Sequence, residues 1–419
     1  MKTAQIIPAI ESPSNASRSN AVTLADLEAL GADVEETLER VKDVVFQPTG
    51  VKSAPNFGVM QLSSLCGISH DTFMRRFAKA DTLGLPVGRK SETSRKLSFT
   101  LDETLTWIRR ERKEAGRPPG VLGAVIATGN FKGGVGKTTV SMSIAQGLSL
   151  KGYRVLCIDL DPQGSLTSLF GLRPADMEEG ETFFPLTLPL SDPRHRGTLE
   201  ESIRATYWAN VDLVPGSAAL FSGEFYLPVR QMNAQEAEPD FRFNEVLERA
   251  LMGAIREKYD YIIIDTPPAL SYITMNAFWA ADAILMPLPP EGMDFASSAQ
   301  FWSMFAELAS SATRKGAQMK SFGWVGVVPS KVDSKQHTQS ILKWMRVAYR
   351  GYLTSAELPR TDAAKVASMS LQTVYDIERY VGSLKTYARA REAFDKLTDE
   401  IDYLTHKNVW SCAELKGKS

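Results

Sequence analysis

The sequence predicts an α/β fold, a parallel sheet with helices on both faces, preceded by a small and mostly helical domain. Three observations carry this. Past a Gly- and Pro-rich break near residues 114–121, the apolar runs Val121–Ala127, Val155–Leu160, Tyr261–Ile264, Ala283–Met286 and Phe322–Val328 alternate with helical stretches. Ahead of that break, apolar residues recur at helical spacing between short turn signals. With 419 residues, 43% hydrophobic and 23% charged, the chain suits two or three ordinary domains and excludes wholesale disorder or collagen-like repeats. No window reaches the roughly 18 uninterrupted apolar residues that a spanning helix needs.

The three cysteines, Cys66, Cys157 and Cys412, lie far apart, which gives neither metal-ligand spacing nor a disulfide framework and fits a reducing cytoplasm. The amino terminus lacks the apolar run of a secretory signal. A formal net charge of −1 excludes an overall basic nucleic-acid binder and leaves room for local patches.

Residues 1–22 are rich in Ser, Asn and Ala without periodicity, and are expected to form a flexible tail. Over 23–48, Leu24, Leu27, Leu30, Val34, Leu38, Val41 and Val45 make one apolar stripe on an acidic helix. That stripe packs either on its own domain or, as a dimerising helix, against a partner chain. Residues 49–117 read as a winged helix-turn-helix. A helix, a tight turn at Cys66-Gly67-Ile68-Ser69 and a second helix capped by Ser69 are followed by an alternating segment suited to a β wing. Arg75, Arg76 and Lys79 on the second helix, with Arg89, Lys90, Arg95 and Lys96 after it, suit phosphate contacts flanking a recognition helix. The plainer alternative is a helical hairpin with a solvated basic face.

Residues 118–419 form the α/β domain, and its chemistry begins directly after the first strand. There TGNFKGGVGKTTVSMSIAQGLSLKG runs from a glycine-rich turn into a helix. Gly133, Gly134 and Gly136 let backbone amides curl around a phosphate, with Val135 between them, and the helix amino terminus adds its dipole. Lys137 can bridge outer phosphates, and the Thr138 hydroxyl, followed by Thr139, can coordinate Mg²⁺. The pattern departs from G-x-x-x-x-G-K-[ST] at Phe131, and a lysine, Lys132, stands before the glycines.

Acidic residues mark two further strand ends, where an open α/β sheet places its ligand. In VLCIDLDPQGSLT, Asp159 and Asp161 stand two residues apart, so both can reach one metal or one water. In YDYIIIDTPPAL, four apolar residues lead into Asp265, a carboxylate suited to the Mg²⁺ shell. A lone aspartate of this kind is usually a helix cap. Three elements in this order, each at a strand end, are not explained that way.

Together, KGGVGKTT, DLDPQG and IIIDTPP resemble the ParA/MinD group of deviant-Walker P-loop ATPases, and most of all the long plasmid and chromosome partition ATPases. The strong motifs cover about residues 121–290, while LVPGSAAL, ADAILMPLPPEGMDFASSAQ and the ELPR element extend a looser likeness. The resemblance implies ATP/ADP and Mg²⁺ at Gly133, Gly134, Val135, Gly136, Lys137, Thr138 and Thr139. It implies that Lys132 reaches across a homodimer to the partner's phosphates, that Asp161 positions or activates the attacking water, and that Thr138, Asp159 and Asp265 support the metal. It further implies slow hydrolysis, a centromere-binding ParB-type partner, and a cytoplasmic, nucleoid-associated protein. Residues 171–212 match nothing usable in that family.

Between residues 314 and 391 fourteen Lys or Arg stand against five Asp or Glu. This excess suits sequence-independent DNA binding, with Lys331, Lys335, Lys343, Arg346, Arg350, Arg360 and Lys365 as candidates. A membrane-cycling relative would need a basic amphipathic helix at the end of the chain, and DYLTHKNVWSCAELKGKS is too short and irregular for one. A nucleotide-sensing repressor without a motor role is the main alternative.

Overall fold

The computed structural model describes residues 22–45, 52–90, 96–111, 116–313, 319–360, 371–377 and 383–416. Residues 1–21 of the expected amino-terminal tail, Arg95 and Lys365 lie outside these. The chain forms two units, residues 1–50 and 51–419.

In the first unit, α1 spans Leu24–Val45. Thr23 and Asp26 cap it reciprocally: the Thr23 amide donates to Asp26 Oδ2 at 2.7 Å and the Asp26 amide to Thr23 Oγ1 at 3.3 Å. Leu24, Leu27, Leu30 and Val34, four of the seven residues of the predicted stripe, are exposed.

The second unit opens with a three-stranded antiparallel sheet, β1 (Phe57–Gly58), β2 (Arg89–Lys90) and β3 (Leu97–Phe99), in the order β1-β3-β2. Against it pack α2 (Val59–Leu65), α3 (His70–Phe77) and α4 (Leu101–Glu111). Gly67 takes the left-handed turn between α2 and α3 at φ +67, and Ser69 caps α3 by accepting from the Thr72 amide at 3.2 Å. The core of this module is aromatic. Phe73 is fully buried, 4.8 Å from the Trp107 ring centroid and 6.2 Å from that of Phe99.

A seven-stranded sheet follows, with order β10-β9-β4-β8-β5-β7-β6. Its strands are β4 (Ala124–Thr128), β5 (Val155–Asp159), β6 (Arg204–Ala205), β7 (Val211–Val214), β8 (Tyr261–Asp265), β9 (Ala283–Leu288) and β10 (Trp324–Pro329). All pairs are parallel except β6 with β7. Five of these strands are the predicted apolar runs. β7 escapes that reading because Asp212 interrupts four residues, and β6 is a two-residue edge. Successive residues of β4 enter opposite cores, Ala124 and Ile126 on one side, Val125 and Ala127 on the other, which is why the run is continuously apolar. The core on the first side also takes in Phe73, Trp107 and Trp410.

Helix α5 (Lys137–Leu150) leaves the glycine-rich turn and is buried along nearly its whole length. A buried polar network fixes it: Gln146 Nε2 donates to Asp376 Oδ1 at 2.9 Å, and Lys52 Nζ pairs with Asp376 Oδ2 at 3.1 Å. Residues 171–212, without a sequence signature, contribute Phe183, Phe184, Leu188 and Leu199 to the core on the second side. At the carboxyl end, Trp410 is fully buried against Tyr153, Tyr261 and His406, so this segment presents no free apolar face at that residue. Among the described residues no helix is long and apolar enough to cross a membrane.

Candidate functional site

The loop after β4 is shaped by close packing beneath it and open space above it. A side chain at Gly129 would meet the Phe278 ring at 2.4 Å, whereas nothing lies within 4 Å of where one would project from Gly133, Gly134 or Gly136. Gly134 (φ +71) and Gly136 (φ +103) turn through the left-handed region, which brings successive amides toward one side. Buried Asn130 anchors the loop start, donating from Nδ2 to the Pro287 carbonyl at 2.8 Å and accepting from the Lys132 amide at 3.0 Å. Buried Val135 anchors the middle, and its carbonyl accepts from Ser330 Oγ at 2.8 Å. The loop then feeds the amino terminus of α5, whose first amides have no helical acceptor. An open cradle of amides at a 14-residue helix fits a chain of phosphates.

Lys137 lies inside this cradle. Its side chain is buried and Nζ donates to the Lys132 carbonyl at 3.1 Å. Burial pulls its pKa down, against the opposing pull of Asp265 and Asp161.

The carboxylates meet at adjacent strand ends, because register pairs Asp159 of β5 with Asp265 of β8. Both are fully buried. Asp159 Oδ2 accepts from the Thr167 amide at 2.8 Å and its hydroxyl at 2.7 Å, and Oδ1 accepts from the Asp161 amide at 3.2 Å. It therefore ties the loop after β5 to the strand end. Asp265 Oδ1 accepts from Ser141 Oγ at 2.9 Å, while Oδ2 is buried without a hydrogen-bond partner among the described residues. Burial, with Asp265 beside it, raises Asp159 to about 8; burial raises Asp265 to about 6, held back by the Thr138 and Ser141 hydroxyls. Two buried carboxylates with an unused oxygen next to Thr138 fit a cation with its waters. Asp161 is buried at the rim and accepts from the Gln163 amide at 3.0 Å. Gly216, in the turn after β7, is packed so closely that a side chain there would meet the Asp161 carbonyl at 2.8 Å.

Three lysines surround the loop. The half-exposed Lys132 pairs with Asp294, a buried carboxylate in the first turn of the helix Gly292–Ala312. The preceding residue, Phe131, meets Phe301 of the same helix edge to face at 4.7 Å. Lys331, counted from sequence in the carboxy-terminal basic stretch, donates from Nζ to the Gly134 carbonyl. It stands two residues past the end of β10, in the left-handed conformation at φ +54. Asp294, Ser330 and Gly216 had no site role by sequence, and Lys331 had one only as a DNA-binding candidate; the signal for Asp294 was its place in the looser PLPPEGMDF likeness.

The other basic candidates fall into two groups. On the small module Arg75, Lys79, Arg89 and Lys90 are exposed, while Arg76 pairs with buried Glu111. On the helix Gln336–Tyr349 and the turn after it, Lys343, Arg346 and Arg350 are exposed with no acidic residue in the helix, and Trp344 is exposed among them. Arg346 reaches Glu357 and Arg360 reaches Glu291, each at 2.6 Å. Lys335 is exposed, 3.9 Å from Asp333.

Comparison with known proteins places the chain among several relatives. A family model described as an AAA domain matches residues 123–317. A protein of Rhizobium rhizogenes carrying the name replication protein A is 32% identical over 382 residues, covering 87% of this chain and 90% of that one. The plasmid partition protein A of Escherichia coli is 28% identical over 295 residues, covering 67% of this chain and 72% of that one. A solved partition protein shares the fold with a TM-score of 0.63 at 20% identity, over 90% of this chain and 99% of that one.

Proposed function

The chain belongs to the ParA/MinD group of P-loop ATPases, most similar within it to the partition ATPases, and from that premise we propose that it is an ATP-driven DNA segregation protein. The observation that carries the proposal is the loop itself: an amide cradle with Lys137 inside it, buried Asp159 and Asp265 behind it, and a second lysine, Lys132, at its mouth. In this reading the backbone of Gly133, Gly134, Val135 and Gly136 holds the phosphates of ATP, with Lys137, Thr138 and Thr139. Thr138 and Asp265 face the Mg²⁺ shell, and Asp159 fixes the loop that presents Asp161. The metal supplies charge neutralisation on the phosphates. Asp161 orients or deprotonates the attacking water, and Lys132 neutralises charge across a homodimer only when two subunits meet. In this reading turnover is slow and suits a timer.

The ATP-bound dimer then holds bulk DNA through the carboxy-terminal basic surface, with Lys343, Arg346, Arg350 and Arg360 as contacts, until a centromere-bound ParB-type partner stimulates hydrolysis. Residues 49–117 act as a winged helix-turn-helix on an operator, with Arg75, Lys79, Arg89 and Lys90 toward phosphates, and the 23–48 helix joins two copies. The 118–419 part is the motor. In this reading the protein works on the nucleoid, with no membrane step.

Binding to a random-sequence duplex with ATP, ADP or no nucleotide, repeated for Lys132→Ala across a salt series, tests the reading. Binding that needs ATP, falls steeply with salt and fails in Lys132→Ala is the expected result. Binding that ignores nucleotide, or that is confined to one operator, would replace the motor with a nucleotide-sensing repressor, a reading favoured by the exposed Arg75 on α3 and Lys79 just after it.

A further inference from the structure

We propose that Asp294 is a positioning residue that holds Lys132 in cis, restraining dimerisation until ATP draws the lysine away. The inference rests on the reading that Lys132 acts across a dimer. Two consecutive loop residues are pinned to one helix: the Phe131 ring lies edge to face on the fully buried Phe301 ring at 4.7 Å, and the Lys132 ammonium pairs with Asp294. Lys132 is the one partner of the Asp294 carboxylate among the described residues, and that side chain is only 5% exposed. The carboxylate sits in the first turn of a 21-residue helix, Gly292–Ala312.

Lys132 cannot serve a partner subunit from this position. To leave, it abandons a buried carboxylate, and withdrawing one member of a buried pair is costly because the other charge stays behind unpaired. Asn130 fixes the Lys132 amide but leaves its side chain free to swing, so the backbone of the loop need not move. The restraint is thus a side-chain switch, released once per subunit as a dimer closes. Phe131 gives the pin its apolar half.

Asp294→Asn keeps the shape and removes the charge, and Asp294→Glu keeps the charge. Two readouts separate a restraint from a merely structural role. The first is the rate at which an amine-reactive acylating reagent modifies Lys132 without nucleotide, followed by mass spectrometry. The second is the protein concentration at half-dimerisation in a non-hydrolysable ATP analogue, by sedimentation. In Asp294→Asn, Lys132 modification should rise several-fold and half-dimerisation should occur at about tenfold lower concentration, since one charge pair per subunit no longer has to break. Asp294→Glu should return both toward wild type, and Phe131→Leu should shift both in the same direction by less. If Asp294→Asn leaves either readout unchanged or reversed while Lys132→Ala blocks dimerisation, the restraint is overturned and the trans lysine stands. If Lys132→Ala dimerises like wild type, the trans role falls and takes the restraint with it. Should Asp294→Asn fail to fold, Phe131→Leu decides by the same two readouts.

Discussion

Gly216→Ala tests whether the acidic end of the site is held by packing as tightly as its geometry states. The new Cβ would lie 2.8 Å from the Asp161 carbonyl oxygen, 2.9 Å from the Asp159 carboxyl carbon and 2.9 Å from the Asp159 carbonyl oxygen. None of these atoms belongs to the end of a flexible side chain. Asp159 is fully buried and bonded to the amide and hydroxyl of Thr167, and the Gly216 amide itself donates to Thr167 Oγ1 at 2.8 Å, so the turn and the carboxylate loop are braced against each other. Relief comes only by moving backbone. Overpacking of one methyl group at such a place costs about 1–3 kcal/mol. The displacement falls on Asp159 and Asp161, and a shift of roughly 1 Å in catalytic geometry can cost about a hundredfold in rate. We therefore expect ATP turnover, measured as steady-state phosphate release at saturating MgATP, to fall at least about tenfold, while urea unfolding reports a loss of about 1–3 kcal/mol. Turnover within about twofold of wild type at unchanged stability would show that the loop yields, and would refute the argument from close packing.

Other consequences follow from particular residues. Asp159 and Asp265, raised to about 8 and about 6 from an ordinary 3.8, hold protons in the folded chain that the unfolded chain releases. Stability of the nucleotide-free protein should therefore fall as pH rises between about 4 and 8; urea unfolding across that range checks this, and an equal slope in Asp265→Asn would sink it. On the carboxy-terminal surface, Lys343→Ala and Arg350→Ala should each flatten the log–log salt dependence of DNA binding by about one unit. The exposed Trp344 beside them should behave differently. Its replacement by Ala should weaken binding by about 1 kcal/mol or more at every salt concentration without changing the slope, and a changed slope would argue against apolar contact with DNA. Ser69→Ala should cost about 1 kcal/mol in urea unfolding through loss of the α3 cap, with Ser69→Asp restoring most of it.

Elements written in consecutive residues were legible before any coordinates. The five long strands announced themselves because a parallel sheet covered on both faces demands unbroken apolar runs. The α2–turn–α3 unit was readable because Gly67 and Ser69 do local work, a left-handed turn and a cap. β7 was not, since Asp212 breaks its pattern and its place is decided by pairing with β5. Charge counting is silent about place: Lys331 belongs by number to a basic stretch, and the turn after β10 brings its ammonium to the Gly134 carbonyl of the phosphate loop.

What the sequence by itself determined is the chemistry of the loop: glycines free to turn, a lysine and two threonines at a helix start, and aspartates closing apolar strands. These depend on backbone freedom and spacing within a few residues, so they are written where they act. The tertiary structure alone decided which of those pieces meet. The strand order brings Asp159 beside Asp265, the turn after β7 wedges Gly216 against Asp159 at the end of β5 and Asp161 just past it, and the helix Gly292–Ala312 offers Asp294 to Lys132. The physical reason is that such contacts are set by how a sheet and its helices pack in three dimensions, and no local propensity along the chain encodes that distance.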